Sequence, residues 1–210
     1  IKGPNTTIST GFTASLDAIE YARGFISSGR LSGVLVGSVE ELCVQTFLGF
    51  YNLGYLSGIK DSSCQISCPF DARRNGIIFS EGSAVFILED SETAISRNAK
   101  IYGKVLGLGT NFFPWRRHKF PSHGQGMALA MQSALDDAGL LPQEIDCIFA
   151  NANSTSDADS SETKAIKKVF GDYAYHVPVT AIKSMLGETY SAGGSMALLA
   201  GLGTLNKGIV

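Results

Sequence analysis

The chain has 210 residues, 44% of them hydrophobic and 17% charged, which is length and apolar material enough to close a core and excludes a disordered segment. A formal net charge of -2 gives no broad positive field, which argues against nucleic acid and anionic membrane as partners. No apolar run reaches the roughly 18 residues of a membrane helix and no charged, apolar leader opens the chain, so a cytoplasmic location is expected.

Residues 5–8 are β-prone and run through Ser9 and Thr10 into helical spacing at Leu16, Ile19, Ala22, Phe25 and Ile26: strand, sharp turn, helix, stopped by Gly29. Residues 33–39 are almost wholly apolar, as in a strand buried on both faces. Residues 41–75, broken by Gly49, Gly54, Gly58 and Pro69, read as a short helix followed by loop. Strand-like runs follow at 77–79 and 84–88, then a short helix at 92–98 and another strand at 101–108. Residues 110–123 collect Phe112, Phe113, Trp115, Arg116, Arg117, His118, Lys119 and Phe120, either a binding loop or a loop packed by its own aromatics. Residues 125–138 form a clear amphipathic helix ended by Gly139, and Pro142 starts the next turn. A buried strand at 145–150, a helix at 162–170, a short strand at 177–180 and a small-residue helix at 193–205 complete the chain. Strands alternating with helices predict an α/β fold with a largely parallel sheet covered on both faces.

Cys43, Cys64, Cys68 and Cys147 form no CxxC pair, and His118, His123 and His176 stand at no ligand spacing. Reduced thiols are expected, with no metal and no cofactor. The chain opens at Ile1 and closes at Val210 after a helix, and both ends read as cut from something longer.

Four segments, in order, carry a resemblance. Ser9-Thr10-Gly11-Phe12-Thr13-Ala14-Ser15 lies at the strand-to-helix turn. Pro69-Phe70-Asp71-Ala72-Arg73 precedes Ser80-Glu81-Gly82-Ser83-Ala84; Asp71 and Glu81 read as structural acids satisfying local donors. Asn151-Ala152-Asn153-Ser154-Thr155 is followed by Asp159 and Glu162, and Thr180-Ala181-Ile182-Lys183-Ser184-Met185-Leu186-Gly187-Glu188 comes last. Together they resemble the β-ketoacyl synthase, or condensing enzyme, family of the thiolase fold. The resemblance implies a layered α-β-α-β-α architecture of two similar halves, of which only about half would be present here. Residues 1–98 would belong to the later part of the first half and 99–210 to most of the second. A sheet deprived of its neighbours would expose apolar faces and strand edges.

In the family a Cys at the first turn, activated by helix-terminal donors, takes an acyl group, and two His stabilise the enolate that follows decarboxylation. This sequence has Phe12 at the Cys position, Asn151 at the first His and Glu188 at the second, while Lys183 and the acid Glu162 are kept. A phenyl ring has no lone pair to attack with, and its bulk would fill the pocket floor. Asn151 can donate to a carbonyl but does not titrate near neutrality, and an ionised Glu188 would repel an enolate. Cys147 in a strand and Cys43 in a helix are not expected at a helix N-terminal turn and do not replace the thiol. Lys183 is expected half-buried or buried, with Glu162 and also Glu188 around it.

The resemblance therefore implies a non-condensing protein similar to the chain-length-factor subunits of polyketide systems. Its implied partners are an active ketosynthase, in a homo- or heterodimer, and an acyl carrier protein. Those subunits commonly carry Gln where Phe12 stands. The alternatives are a β-ketoacyl synthase or acyltransferase acting by an altered mechanism, and a module binding an acyl or aromatic ligand.

Overall fold

A computed structural model describes residues 3–59, 64–114 and 123–208. Seven helices occur among these residues: α1 (Ala14–Ser27), α2 (Val44–Asn52), α3 (Ser91–Ser96), α4 (Gln125–Ala138), α5 (Ser156–Phe170), α6 (Lys183–Leu186) and α7 (Gly193–Lys207). The strands are β1 (Gly33–Glu40), β2 (Gly82–Glu89), β3 (Ile148–Phe149) and β4 (Val179–Thr180). They gather into two compact units, one made of Ile1–Glu41, Glu81–Gly103 and Thr189–Ile209, the other of Leu42–Ser80 and Lys104–Glu188 with Val210.

In the first unit, α1 buries Ala14, Ser15, Ile19 and Ala22, a face repeating at helical spacing. Asp17 in its first turn accepts the Thr13 hydroxyl at 2.8 Å and also that of Thr10, and the acid complements the helix dipole there. Gly29, at φ +69°, ends the helix in the left-handed region. β1 and β2 pair antiparallel from Gly33 opposite Glu89 to Glu40 opposite Gly82. Helix α7 meets α1 closely: the Ser195 amide donates to Ser15 Oγ at 3.1 Å, and Gly194 leaves room for Leu16, whose Cγ lies 2.6 Å from where a β-carbon would be.

The second unit rests on the buried face of α5. Ile166, Phe170 and Val177 form its apolar centre, with Met131, Ile145, Ile148 and Tyr173 packed around them. The Tyr173 hydroxyl finds the Ile145 carbonyl at 3.2 Å, as a buried phenol requires. β3 and β4 pair in parallel, Ile148 opposite Val179 and Phe149 opposite Thr180. Gly109 lies so close to α4 that a β-carbon would come 2.0 Å from the Ala130 carbonyl oxygen, and one on Gly107 would come 2.3 Å from that of Ala134.

Several expectations change. The β1–β2 pair is antiparallel, and only the short β3–β4 pair is parallel. β1 is not buried on both faces: Val36 is buried, whereas Leu35 and Val39 are 56% and 70% exposed, beside Val85 and Ile87 of β2 at 64% and 74%. An apolar run identifies a strand but not what covers each side of it. Residues 5–8 and 101–108 belong to no strand, and Ile77 and Phe79 make only isolated bridges to Leu56 and Glu188. The stretch after 103 lies against α4 instead, and the Leu108 amide donates to Asp137 Oδ2 at 2.9 Å. Helix α5 starts six residues before the expected 162, because its first turn, Ser156-Asp157-Ala158-Asp159, is too polar to show apolar periodicity. The aromatic and basic residues from Trp115 to Phe120 lie outside the described residues.

Two glycines give opposite expectations. Gly109→Ala should lower the urea-unfolding free energy by about 1–3 kcal/mol, the usual cost of overpacking. Gly203→Ala, on α7 with nothing within 4 Å of the added carbon, should raise it by roughly 0.5–1 kcal/mol through helix propensity. Equal effects of the two would contradict this packing.

Candidate functional site

β3 runs into a tight loop whose backbone is turned inward. Ala152 and Ser154 are both fully buried, at φ +38° and +70°, so their amides need partners inside the protein. Helix α5 provides them. Asp159 and Glu162 stand three residues apart on its buried face. Glu162 accepts the Asn151 and Ala152 amides, each at 2.7 Å. Asp159 accepts the Ser154 amide at 3.2 Å and the Phe70 amide at 2.9 Å. Ser154 then ties down the Pro-Phe-Asp segment: its hydroxyl accepts the Cys68 amide at 3.1 Å and its carbonyl the Gly76 amide at 3.0 Å. Asn153 closes the loop by accepting the Thr155 amide and hydroxyl, a side-chain-stabilised turn leading into α5.

Lys183 lies at the start of α6, 6% exposed. Its ammonium donates to Asn151 Oδ1 at 2.7 Å and to Glu188 Oε2 at 2.8 Å, and the Ser67 hydroxyl holds its carbonyl at 2.8 Å. Glu188 is 1% exposed. Gly187, at φ +77°, makes the turn between them, where a β-carbon would meet the Ile78 carbonyl oxygen at 2.8 Å. The Glu188 amide donates to that same carbonyl, and the Glu188 carbonyl accepts the Ser80 amide.

Asn151, Glu162, Lys183 and Glu188 are thus brought together, with Glu188 bonded directly to Lys183 and Glu162 within reach of its charge. The acid bonded to Lys183 is Glu188, while both oxygens of Glu162 serve backbone amides. Glu188 is consequently half of a neutral ion pair rather than a bare carboxylate. Burial pushes the Glu162 carboxyl above its ordinary range, against the pull of its two amide donors. Asp159 is raised by the same cause, with Arg74 Nε 3.7 Å away as its nearest cation. Asp71 satisfies local donors, accepting the Arg73 amide at 2.8 Å, but from a less buried place than expected. Its side chain is 38% exposed, and the Arg73 guanidinium bonded to it lowers its pKa to about 2.

Phe12 belongs to the other unit, on the turn Gly11–Thr13 that opens α1. It is 43% exposed rather than a buried floor. Its ring packs edge-to-face on Tyr190, centroids 4.7 Å apart and planes at 88°. Gly11, at φ +74°, admits the Tyr190 hydroxyl to 3.1 Å from where its own β-carbon would be. Tyr190 was not singled out from the sequence; a bulky ring inside the small-residue stretch Thr189–Gly194 was the available signal. Cys43 also departs from expectation, since it is the N-cap residue of α2 and its thiol is bonded to the Thr46 hydroxyl at 3.1 Å. Cys147 is half-buried, which raises its pKa and favours the inert thiol. No group of three potential metal ligands occurs among the described residues.

Two measurements test this network. Lys183→Met should cost about 3–5 kcal/mol in chemical denaturation by leaving Glu188 buried and unpaired, and Lys183→Met with Glu188→Leu should recover most of it. The pH dependence follows from the direction of the Glu162 shift. Its pKa is higher folded than unfolded, so its ionisation opposes folding above the raised value. That penalty fades as pH falls through the raised value towards the ordinary glutamate range. Glu162→Gln should therefore flatten the stability profile of the wild-type chain in that acidic window; parallel profiles would remove Glu162 as the cause.

The chain is similar to known proteins in sequence and in fold. The family model for the β-ketoacyl synthase N-terminal domain matches residues 1–94, and that for the β-ketoacyl synthase C-terminal domain matches residues 102–210. The tetracenomycin polyketide synthase ketoacyl synthase alpha subunit of Streptomyces glaucescens is 35% identical over all of this chain and 49% of its own length. The 3-oxoacyl-[acyl-carrier-protein] synthase 2 of Coxiella burnetii is 34% identical over 93% of this chain and 48% of its own. Among solved structures, a type II polyketide acyl-carrier protein in complex with its ketosynthase bound to the hexaketide matches with a TM-score of 0.89 at 34% identity, over 94% of this chain and 49% of that one. The ishigamide ketosynthase/chain length factor matches with a TM-score of 0.80 at 32% identity, over 95% and 47%. The chain spans about half the length of the curated relatives it matches, and its fold is the corresponding part of the thiolase-like ketosynthase fold. With family models matching on both sides of residues 95–101, the chain belongs to the β-ketoacyl synthase family.

Proposed function

We propose that this chain is a ketosynthase-like component of fatty acid or polyketide synthesis that does not condense acyl chains and serves as the partner subunit of an active ketosynthase. The observation that carries the reading is Phe12 on the turn that opens α1. The resemblance puts a nucleophilic Cys at that turn, and a phenyl ring can neither attack a thioester nor leave as a thiolate. The charges of the second unit support it. Lys183 is committed to Asn151 and Glu188 at 2.7 and 2.8 Å, an arrangement that supplies neither of the titrating imidazoles of a condensing site.

The partner reading draws on the relatives. A solved match pairs a ketosynthase with a chain length factor, and another holds an acyl-carrier protein on its ketosynthase. We take the same partners for this chain: an intact ketosynthase in a two-subunit assembly, and an acyl carrier protein, in the cytoplasm. Residues 1–98 and 99–210 are its shares of the two thiolase-like halves.

Two assays decide it. Incubated with radiolabelled acyl and malonyl carrier protein, the chain should retain no label and release carbon dioxide no faster than background. Mixed with a ketosynthase that keeps its Cys and two His, it should co-elute as one species on size exclusion. Label on the protein, at Cys43 or elsewhere, would overturn the non-condensing reading, and separate elution would overturn the partner role.

A further inference from the structure

Helix α1 buries one face in its unit and turns another onto a groove. Asp17, Glu20, Tyr21 and Gly24 recur at helical spacing along that second face, and with Ile8 and Thr10 alongside they wall an open space of about 560 Å³. Its charges lie at opposite ends. Asp17 and Glu20 stand towards the start of the helix, while Arg30 closes the far end, held against the last turn by the 3.0 Å bond from its amide to the Phe25 carbonyl. Between them Tyr21 and Phe25 pack edge-to-face, centroids 4.9 Å apart, with Tyr21 48% exposed. Gly24 has open space above it, nothing lying within 4 Å of where a β-carbon would be. Neither Glu20 nor Arg30 has an ion-pair partner among the described residues.

Such a face is complementary to itself. Turned about a two-fold axis through Gly24, a second α1 runs antiparallel to the first, and residues equally far from Gly24 on opposite sides come together. Tyr21 then meets Ser27 of the second copy, and Glu20 meets Ser28, beside the Arg30 that the last turn holds there. Bulk falls on small residues and acid on base, twice over. A parallel copy would instead set acid against acid. The bare backbone of Gly24 at the axis allows close approach, and the two helix dipoles run opposed.

We propose that this face of α1 is the docking surface for a second copy of this chain, paired antiparallel about Gly24 with Glu20 of each copy against Arg30 of the other. The groove has nine lining residues, well below the roughly 20–30 a side of a standard interface, so the pair is weak. Its exposed charges make it sensitive to salt. The surface goes beyond the partner role above and does not depend on whether residue 12 reacts.

The test uses the full chain alone, in sedimentation velocity at concentrations from about 1 to about 500 µM. In about 50 mM salt it should form a reversible dimer with a Kd on the order of 10–100 µM, weakened at least about threefold in about 500 mM. Glu20→Lys and Arg30→Glu should each weaken it about tenfold, by turning two attractive pairs into two repulsive ones. Their equimolar mixture should return to within about threefold of the wild-type affinity, because every opposed pair in the mixed dimer is again of opposite sign. Gly24→Trp should remove the dimer by filling the axis. Circular dichroism checks that the variants are folded, and the salt response of the wild-type chain needs no variant. A chain that stays monomeric to about 500 µM, a dimer indifferent to Gly24→Trp and to both charge reversals, or a mixture no tighter than its components would each overturn the surface. Failure to bind a ketosynthase would bear on the partner role alone, so the two failures are distinguishable.

Discussion

The second unit depends on one arrangement: the Glu162 carboxylate, 4% exposed, accepting two consecutive backbone amides at 2.7 Å. A loop that leaves β3 and turns inward cannot leave its amides unpaired, since a buried donor without a partner costs about 1–3 kcal/mol. Asp159, three residues earlier on α5, does the same for Ser154 and Phe70. Through these two acids the helix fixes the loop, the loop fixes the Pro-Phe-Asp segment, and Asn151 is left at a defined position beside β3. The Asn153 turn at the start of α5 brings the helix to the loop it serves.

That solution has an electrostatic cost. Asp159, Glu162 and Glu188 are all at least 96% buried, and within the unit Lys183 and Arg74 are the cations bonded or close to them. Burial raises the carboxyls of both Asp159 and Glu162. Lys183 can neutralise Glu188 or reach out to an incoming anion, and at 2.8 Å it does the first. A histidine at residue 188 would ask nothing of Lys183 in its neutral form. A glutamate needs the ammonium outright, because the alternative is an unpaired buried charge. Glu188 thus sets what Lys183 does, and the repulsion expected from a bare carboxylate gives way to a closed pair.

Helix periodicity was the most legible feature of the sequence. α4 has the bounds its apolar spacing and Gly139 imply, and α1 and α7 differ from expectation only near their ends. Strands were less legible for a physical reason. Residues 33–39 and 101–108 are similar apolar runs, yet the first pairs with β2 while the second packs on α4, where Gly107 and Gly109 allow backbone approach. Nothing in such a run encodes direction or cover. At the site, motif order marked Phe12, Asn151, Glu162, Lys183 and Glu188, because each holds a fixed place in a spaced pattern. The division of labour was not encoded: both acids were expected around Lys183, and it is Glu188 that bonds its ammonium while Glu162 serves backbone amides. Tyr190 was not marked as a site residue because its stretch reads as the small-residue entry to a packed helix, and its contact with Phe12 shows only in the fold.

That contact bears on how the turn holding residue 12 is built. A phenyl ring would, alone, be an awkward exposed bulk on a tight turn. Here Gly11 forgoes a side chain, Tyr190 accepts a strained backbone and its ring supports the Phe12 ring. A Cys at residue 12 would withdraw the ring that Tyr190 packs against, leaving the strain at φ +41° with less to hold it. It would also leave Lys183 paired to Glu188 in the other unit. Phe12 and Lys183 are therefore each held by their own local contacts, and a change at either residue leaves the partners of the other in place.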